Sequence, residues 1–323
     1  MKAVVYTKYG APDVLQIKEV AKPTPKDNEV LIKIHATTVT SGDWRVRSLQ
    51  MPVGFGLMAR PIFGLFRPRQ PILGTELAGV IEAVGKDVQK FKIGDPVFAF
   101  SGAAMGCYAE YKCMPAEGAV LPKPSNLTDE EAAALSFGGT TALDFLKRAN
   151  IQKGETVLVN GASGGVGTAV VQLAKYFGAD VTGVCSTANL ELVRSLGADH
   201  VIDYTKADFT KNEKTYDIII DVVGTAPFSR SKDSLNAGGR LLLILSGLPG
   251  LLLAPWVSMT HNKTVIAGPA AERVEDLRFL ATLAESGEFK PVIDRCYPLE
   301  QIVEAHRYVD TGRKRGNVII TWS

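Results

Sequence analysis

The stretch VLVNGASGGVGTAV, residues 157–170, constrains this chain more than any other. It is a short run of strand-forming residues, then a glycine-rich turn, then apolar residues at helical spacing. A strand that turns directly into a helix leaves the first helical amides without carbonyl partners, and the helix dipole adds positive potential there. Such an end suits a pyrophosphate. Gly164 lets the backbone approach a phosphate, and Gly167 lets helix and strand pack closely. Ala162 stands at the first glycine position of the G-x-G-x-x-G fingerprint, where a small side chain suits the tight turn. Ser163, Gly164, Gly165, Val166 and Gly167 are therefore candidate dinucleotide contacts, with an ordinary strand-to-helix turn as the competing reading.

The context of the loop favours the dinucleotide. ETVLVN, DVTGVCS, HVIDY, YDIIIDVVG, RLLLIL and KTVIAG read as six short apolar strands, joined in part by helical patterns such as Val166, Val170, Leu173 and Phe177. That alternation predicts an α/β fold with a doubly wound, parallel, six-stranded Rossmann sheet over residues 126–269. Residues 1–125 are β-rich and broken by Pro/Gly/Asp turns. Residues 270–323 carry two helical patterns, the extended PVIDRCYPL and a last strand, NVIITW, and are expected to complete the N-terminal domain.

In an open α/β sheet, ligand contacts gather at the C-terminal ends of the strands. Val223 and Gly224 follow DIIIDVV, and Ser246 with Gly247 follows RLLLIL. About 20 residues past the glycine loop, where a carboxylate would select NAD, the chain has Cys185, Ser186 and Thr187 instead. Ser186, Thr187, Asn189 and, from the next strand, Tyr204 offer hydrogen-bond donors to a 2′-phosphate, which points to NADPH. Ser and Thr are also ordinary turn formers after a strand.

The 323 residues carry a net charge of +2, too small to imply a nucleic-acid or membrane partner from bulk electrostatics. Four scattered cysteines include no C-x-x-C pair and fit a reducing, cytoplasmic setting. MKAVVYTKYG has no long apolar region, so no secretory signal is expected there. The greasy window at residues 241–257 is short for a bilayer and interrupted by Gly and Pro; it reads as a buried strand followed by an apolar loop. Residues 51–71 are apolar as well. Five arginines and no acid occur between Trp44 and Gln70. A lid over a hydrophobic substrate, a packed loop and a weak contact with an anionic membrane are the three readings of that segment.

ILGTELAGVIEAVGKDVQKFKIGDPVF, FGGTTALDFL, NGASGGVG and GRKRGNVII together resemble the medium-chain dehydrogenase/reductase superfamily, in its zinc-free quinone oxidoreductase (zeta-crystallin-like) branch. The resemblance implies a GroES-like substrate domain made from both termini, an active site in a cleft, and a homodimer formed by edge-to-edge pairing of the nucleotide-domain sheets. It implies NADPH-dependent reduction of small hydrophobic quinones or α,β-unsaturated carbonyls. It also places Thr40, Asp43 and Arg47 on or near the floor of the cleft, Thr140 and Thr141 at the nicotinamide end, and Asn317 on the cofactor. Thr40 and Arg45 replace an Asn and a Tyr found in many relatives, so no proton donor carries over. Helix capping is the structural alternative for Asp43, a buried pair for Arg47 and a turn for Asn317. Ser41 and Thr75 stand where zinc-dependent members have Cys and His, so no metal is expected. The competing functional readings are an NADPH-binding protein with little turnover, serving a redox-sensing, RNA-binding or structural role, and a zinc alcohol dehydrogenase.

Overall fold

The computed structural model describes residues 1–322, the side chains of Leu57 and Met58 excepted. The chain forms two compact units: one from residues 1–51, 56–137 and 272–323, the other from residues 52–55 and 138–271.

The second unit is the Rossmann sheet. Six parallel strands lie in the order His200–Asp203, Asp180–Cys185, Thr156–Asn160, Tyr216–Asp221, Leu235–Leu243, Thr264–Ala267. The chain starts in the middle, winds outward one way and then crosses to wind the other way. The switch point therefore falls between Thr156–Asn160 and Tyr216–Asp221, where ligands of such sheets gather. Leu158, Val184, Ile219, Leu241 and Val265 are buried in the core that the sheet builds.

The first unit is the β-rich one that both termini build. Its seven-stranded sheet runs Ile293–Pro298, Asn317–Thr321, Glu29–Val39, Glu76–Val84, Pro96–Phe100, Val120–Pro122, with Tyr111–Pro115 also paired to Glu29–Val39. Lys2–Val5 and Gln16–Glu19 form a separate antiparallel pair. The C-terminal strand thus closes a sheet begun near the N-terminus: Val318 pairs with Val39 and Ile320 with Thr37.

One expectation is corrected. The apolar stretch after the fifth Rossmann strand is a helix, Leu248–Thr260. Pro249 lies in its first turn, where an N–H has no helical partner to lose, so the proline starts the helix. No helix among the described residues is long and apolar enough to cross a membrane.

Candidate functional site

The glycine loop joins Thr156–Asn160 to the helix Gly165–Tyr176. Gly164 is the N-cap, and no side chain caps the helix; the first helical bond runs from the Thr168 N–H to the Gly164 carbonyl. The amides of Gly165, Val166 and Gly167 are thereby left at the head of a 12-residue helix for an incoming acceptor.

The loop is held close to the strands. Gly161 and Ala162 both donate to the Val184 carbonyl, at 3.1 and 3.0 Å. Gly161 has φ +90°, and a Cβ there would lie 2.6 Å from Val223 Cγ1. A Cβ on Gly167 would lie 2.0 Å from the Gly161 carbonyl oxygen, so only glycine fits. Gly164 differs: its φ is ordinary, and the nearest atom to an added Cβ is 3.8 Å away. Nothing inside the protein demands glycine there.

Three further groups border the loop. Gly138, on the helix Ser136–Arg148, comes so close to Gly165 that a Cβ would lie 2.8 Å from its carbonyl oxygen. Thr140, buried, and Thr141, half-buried, follow on that helix. The Asn189 amide donates to Ser163 Oγ at 3.0 Å and to Ser186 Oγ at 3.2 Å, and so gathers three of the predicted residues. Its Oδ1 is buried with no partner among the described residues.

Asp221, at the end of its strand, carries no signal in the sequence. Its carboxylate accepts the N–H groups of Val223 (3.2 Å), Gly224 (2.9 Å) and Ala226 (2.7 Å) and the Asn160 amide (3.0 Å). It thereby shapes the Val223–Gly224 turn at the switch point. Ser246 has a buried Oγ with no partner among the described residues. Gly247 has a structural reason to be glycine. A Cβ there would lie 2.2 Å from the Val53 carbonyl oxygen, because its backbone packs against that segment, which also accepts the Leu248 N–H.

The segment expected at the ribose has an acidic neighbour that its own sequence does not show. Residues 185–187 contain no carboxylate, but parallel pairing sets Asp203 opposite Cys185 and beside Thr187. The Thr187 hydroxyl donates to Asp203 Oδ2, and Thr205 donates to Oδ1 through its N–H and hydroxyl. These hydrogen bonds hold the Asp203 carboxyl below its usual range and keep it ionised. Thr187 is therefore engaged by a neighbour. Lys206 Nζ, 3.8 Å from Asp203, is the nearby countercharge. Tyr204 is exposed beside this cluster.

In the first unit, Thr40 and Asp43 form a capping box at the helix Ser41–Ser48, so Thr40 is the N-cap and Asp43 the third helical residue. Asp43 Oδ1 also accepts the Gly74 N–H at 2.9 Å. Arg47 is 1% exposed; it pairs with Asp310 at 2.6 Å and donates to the Gly10 carbonyl at 3.2 Å. Both charged side chains take up the structural uses, helix cap and buried pair, that stand as the alternatives to a substrate contact. Asn317 opens the strand Asn317–Thr321 and sends its N–H and its side-chain amide to the Val292 carbonyl.

Glu76 is the group that sequence reading missed. It opens the strand Glu76–Val84 and is fully buried. It accepts the Thr38 hydroxyl and, at 2.6 Å, the Phe137 N–H. Burial pushes its carboxyl up to about 7 against those two hydrogen bonds. Thr75 beside it, and Ser41 at the head of its helix, present hydroxyls. Among the described residues no group of three or more His, Cys, Asp or Glu is placed to hold a metal, and this donor set does not suit zinc.

The chain matches the zinc-binding dehydrogenase family over residues 196–320 and the alcohol dehydrogenase GroES-like domain over residues 26–125. It is 36% identical to 2-methylene-furan-3-one reductase of Solanum lycopersicum, over 99% of this chain and 79% of that protein. With quinone oxidoreductase of Homo sapiens the identity is 34%, over 97% of this chain and 94% of that one. The solved quinone oxidoreductase of Coxiella burnetii superposes with a TM-score of 0.88 at 29% identity, covering 99% of each chain.

Proposed function

Since the chain belongs to the medium-chain dehydrogenase/reductase superfamily, in its quinone oxidoreductase branch, we propose that it is an NADPH-dependent, zinc-independent reductase of quinones or α,β-unsaturated carbonyls. The observation that carries this reading is the uncapped helix end at Gly165–Gly167, together with a Gly164 that no internal contact requires. In the proposal, those amides hold the pyrophosphate, Ser163, Asn189, Ser186 and Tyr204 border the adenosine end, and Val223, Gly224, Ser246, Thr140 and Thr141 border the nicotinamide end.

The cofactor held there would supply a hydride, and the proton would come from water or a weakly placed side chain. A conjugated acceptor suits this chain because its negative charge delocalises onto an oxygen that needs only a hydrogen-bond donor, whereas simple alcohol chemistry calls for a Lewis acid. We also propose a homodimer in the cytoplasm. The strand Thr264–Ala267 lies at one end of the Rossmann sheet and offers an edge for pairing with a second copy.

Oxidation of NADPH and of NADH against quinones, enones and simple ketones tests the reading. Turnover restricted to conjugated acceptors supports it, and tight cofactor binding without turnover on any acceptor overturns it. The Asp203 carboxylate opposes a 2′-phosphate, while Lys206 offsets it. Asp203→Asn is accordingly expected to raise the preference for NADPH over NADH in kcat/KM, by about tenfold. An unchanged ratio places Asp203 outside the ribose site.

A further inference from the structure

Residues 56–69 form a short helix and the turn that follows it, with an exposed apolar tip. The helix Gly56–Phe63 ends as the Gly64 N–H bonds the Arg60 carbonyl and the Arg69 N–H bonds the Phe63 carbonyl, at 2.9 and 2.8 Å. Tyr9 donates its hydroxyl to the Gly64 carbonyl, and Arg60 donates to the Leu65 carbonyl, each at 2.9 Å. Gly64 adopts φ +125°, and a Cβ there would lie 2.0 Å from the Arg67 carbonyl oxygen, so the turn is built around glycine. Phe63 packs inward on the core of the unit. On the outer side Ile62, Leu65 and Phe66 are 58, 53 and 87% exposed. A turn with this much internal hydrogen bonding does not need to leave a phenyl ring in water, and exposed apolar clusters of this kind mark contact sites.

The charges around the tip identify the partner. Arg60, Arg67 and Arg69 are all exposed, and among the described residues none has an ion pair with an acid. A second copy placed on this patch by a two-fold axis would bring six guanidiniums together, which disfavours self-association. An apolar tip rimmed by arginines matches the interfacial region of an anionic bilayer, where phosphates meet acyl chains.

We propose that this turn docks the protein on anionic membrane surfaces. Phe66, Leu65 and Ile62 enter the acyl boundary while Arg60, Arg67 and Arg69 take lipid phosphates. The contact is peripheral and salt-sensitive, and it stands independently of the reductase reading.

Flotation of the full chain with vesicles tests the proposal, using phosphatidylcholine alone against equal parts phosphatidylcholine and phosphatidylglycerol, at low and high salt. Binding is expected on the anionic vesicles only and is expected to fall with salt. Phe66→Ser with Leu65→Ser should lower partitioning by roughly tenfold or more. Arg67→Gln and Arg69→Gln should each lower it by about fivefold. All four positions are exposed, so thermal unfolding should be close to that of the parent, and that measurement guards against a folding defect. Absence of binding to the anionic vesicles overturns the proposal. So does binding that none of these substitutions changes, or binding that soluble polyglutamate displaces as well as the lipid does, which would point to an acidic protein instead.

Discussion

Gly167→Ala is expected to weaken NADPH binding at least a hundredfold, whereas Gly164→Ala should leave the fold untouched and still weaken binding. The two glycines stand three residues apart and differ in what surrounds them. A methyl group added at position 167 would press on the Gly161 carbonyl oxygen at 2.0 Å and on the Ala162 carbonyl carbon at 2.9 Å. Both are backbone, and the loop has little freedom to retreat, because Gly161 and Ala162 are tied to Val184. The relief available is a displacement of the helix end itself, which carries the amides off their common focus. Charge-assisted hydrogen bonds of this type contribute about 1.5–3 kcal/mol each, so misaiming two of them accounts for the loss. A methyl group at position 164 meets only ordinary contact at 3.8 Å and would stand where a phosphate approaches. Fluorescence titration with NADPH, paired with thermal unfolding of each variant, separates the two effects. Binding within a few-fold of the parent in both variants would sink the assignment of this loop.

The loop is legible in the sequence because everything it needs is local: a strand, small residues and a helix in one run of the chain. The six-strand alternation is legible for the same reason. Asp221 is not, since nothing in DVVGT announces a carboxylate that gathers three backbone amides and Asn160 from a neighbouring strand. Asp203 escapes because its partner, Thr187, lies 16 positions away and only strand pairing joins them. Carry-over by resemblance places Asp43 and Arg47 near the substrate. The helix cap and the buried pair stand in the sequence as their alternatives, but Gly74 and Asp310, which complete them, are distant in sequence and are joined only by the fold. The helix Leu248–Thr260 reads as a loop when its two prolines and its glycines are counted as breakers without regard to position. Pro249 in a first turn breaks nothing.

Glu76 gives the second large effect, and its sign follows from the direction of its shift. Folding raises the carboxyl from 4.5 to about 7, so the folded protein holds a proton that the unfolded chain has already released. The stabilising contribution is full below the unfolded value and is lost as pH rises through 7, in total about 3 kcal/mol. The groups acting on it are consistent with that sign. Burial and the nearby Asp43 raise the value, while Thr38, the Phe137 N–H and Lys314 lower it without prevailing. Lys314, half-buried, is itself pushed down to about 8 by desolvation, so this countercharge is lost only toward the alkaline end of the range. Glu76→Gln keeps the size and an acceptor for Phe137, and the Thr38 hydroxyl is free to rotate and meet the amide. The expected result is a parent whose Tm declines from about pH 5 to pH 8 relative to the variant, with the variant the more stable of the two at the alkaline end. Parallel Tm curves for the two proteins would mean that Glu76 stays ionised throughout, held by its two donors more firmly than its burial opposes.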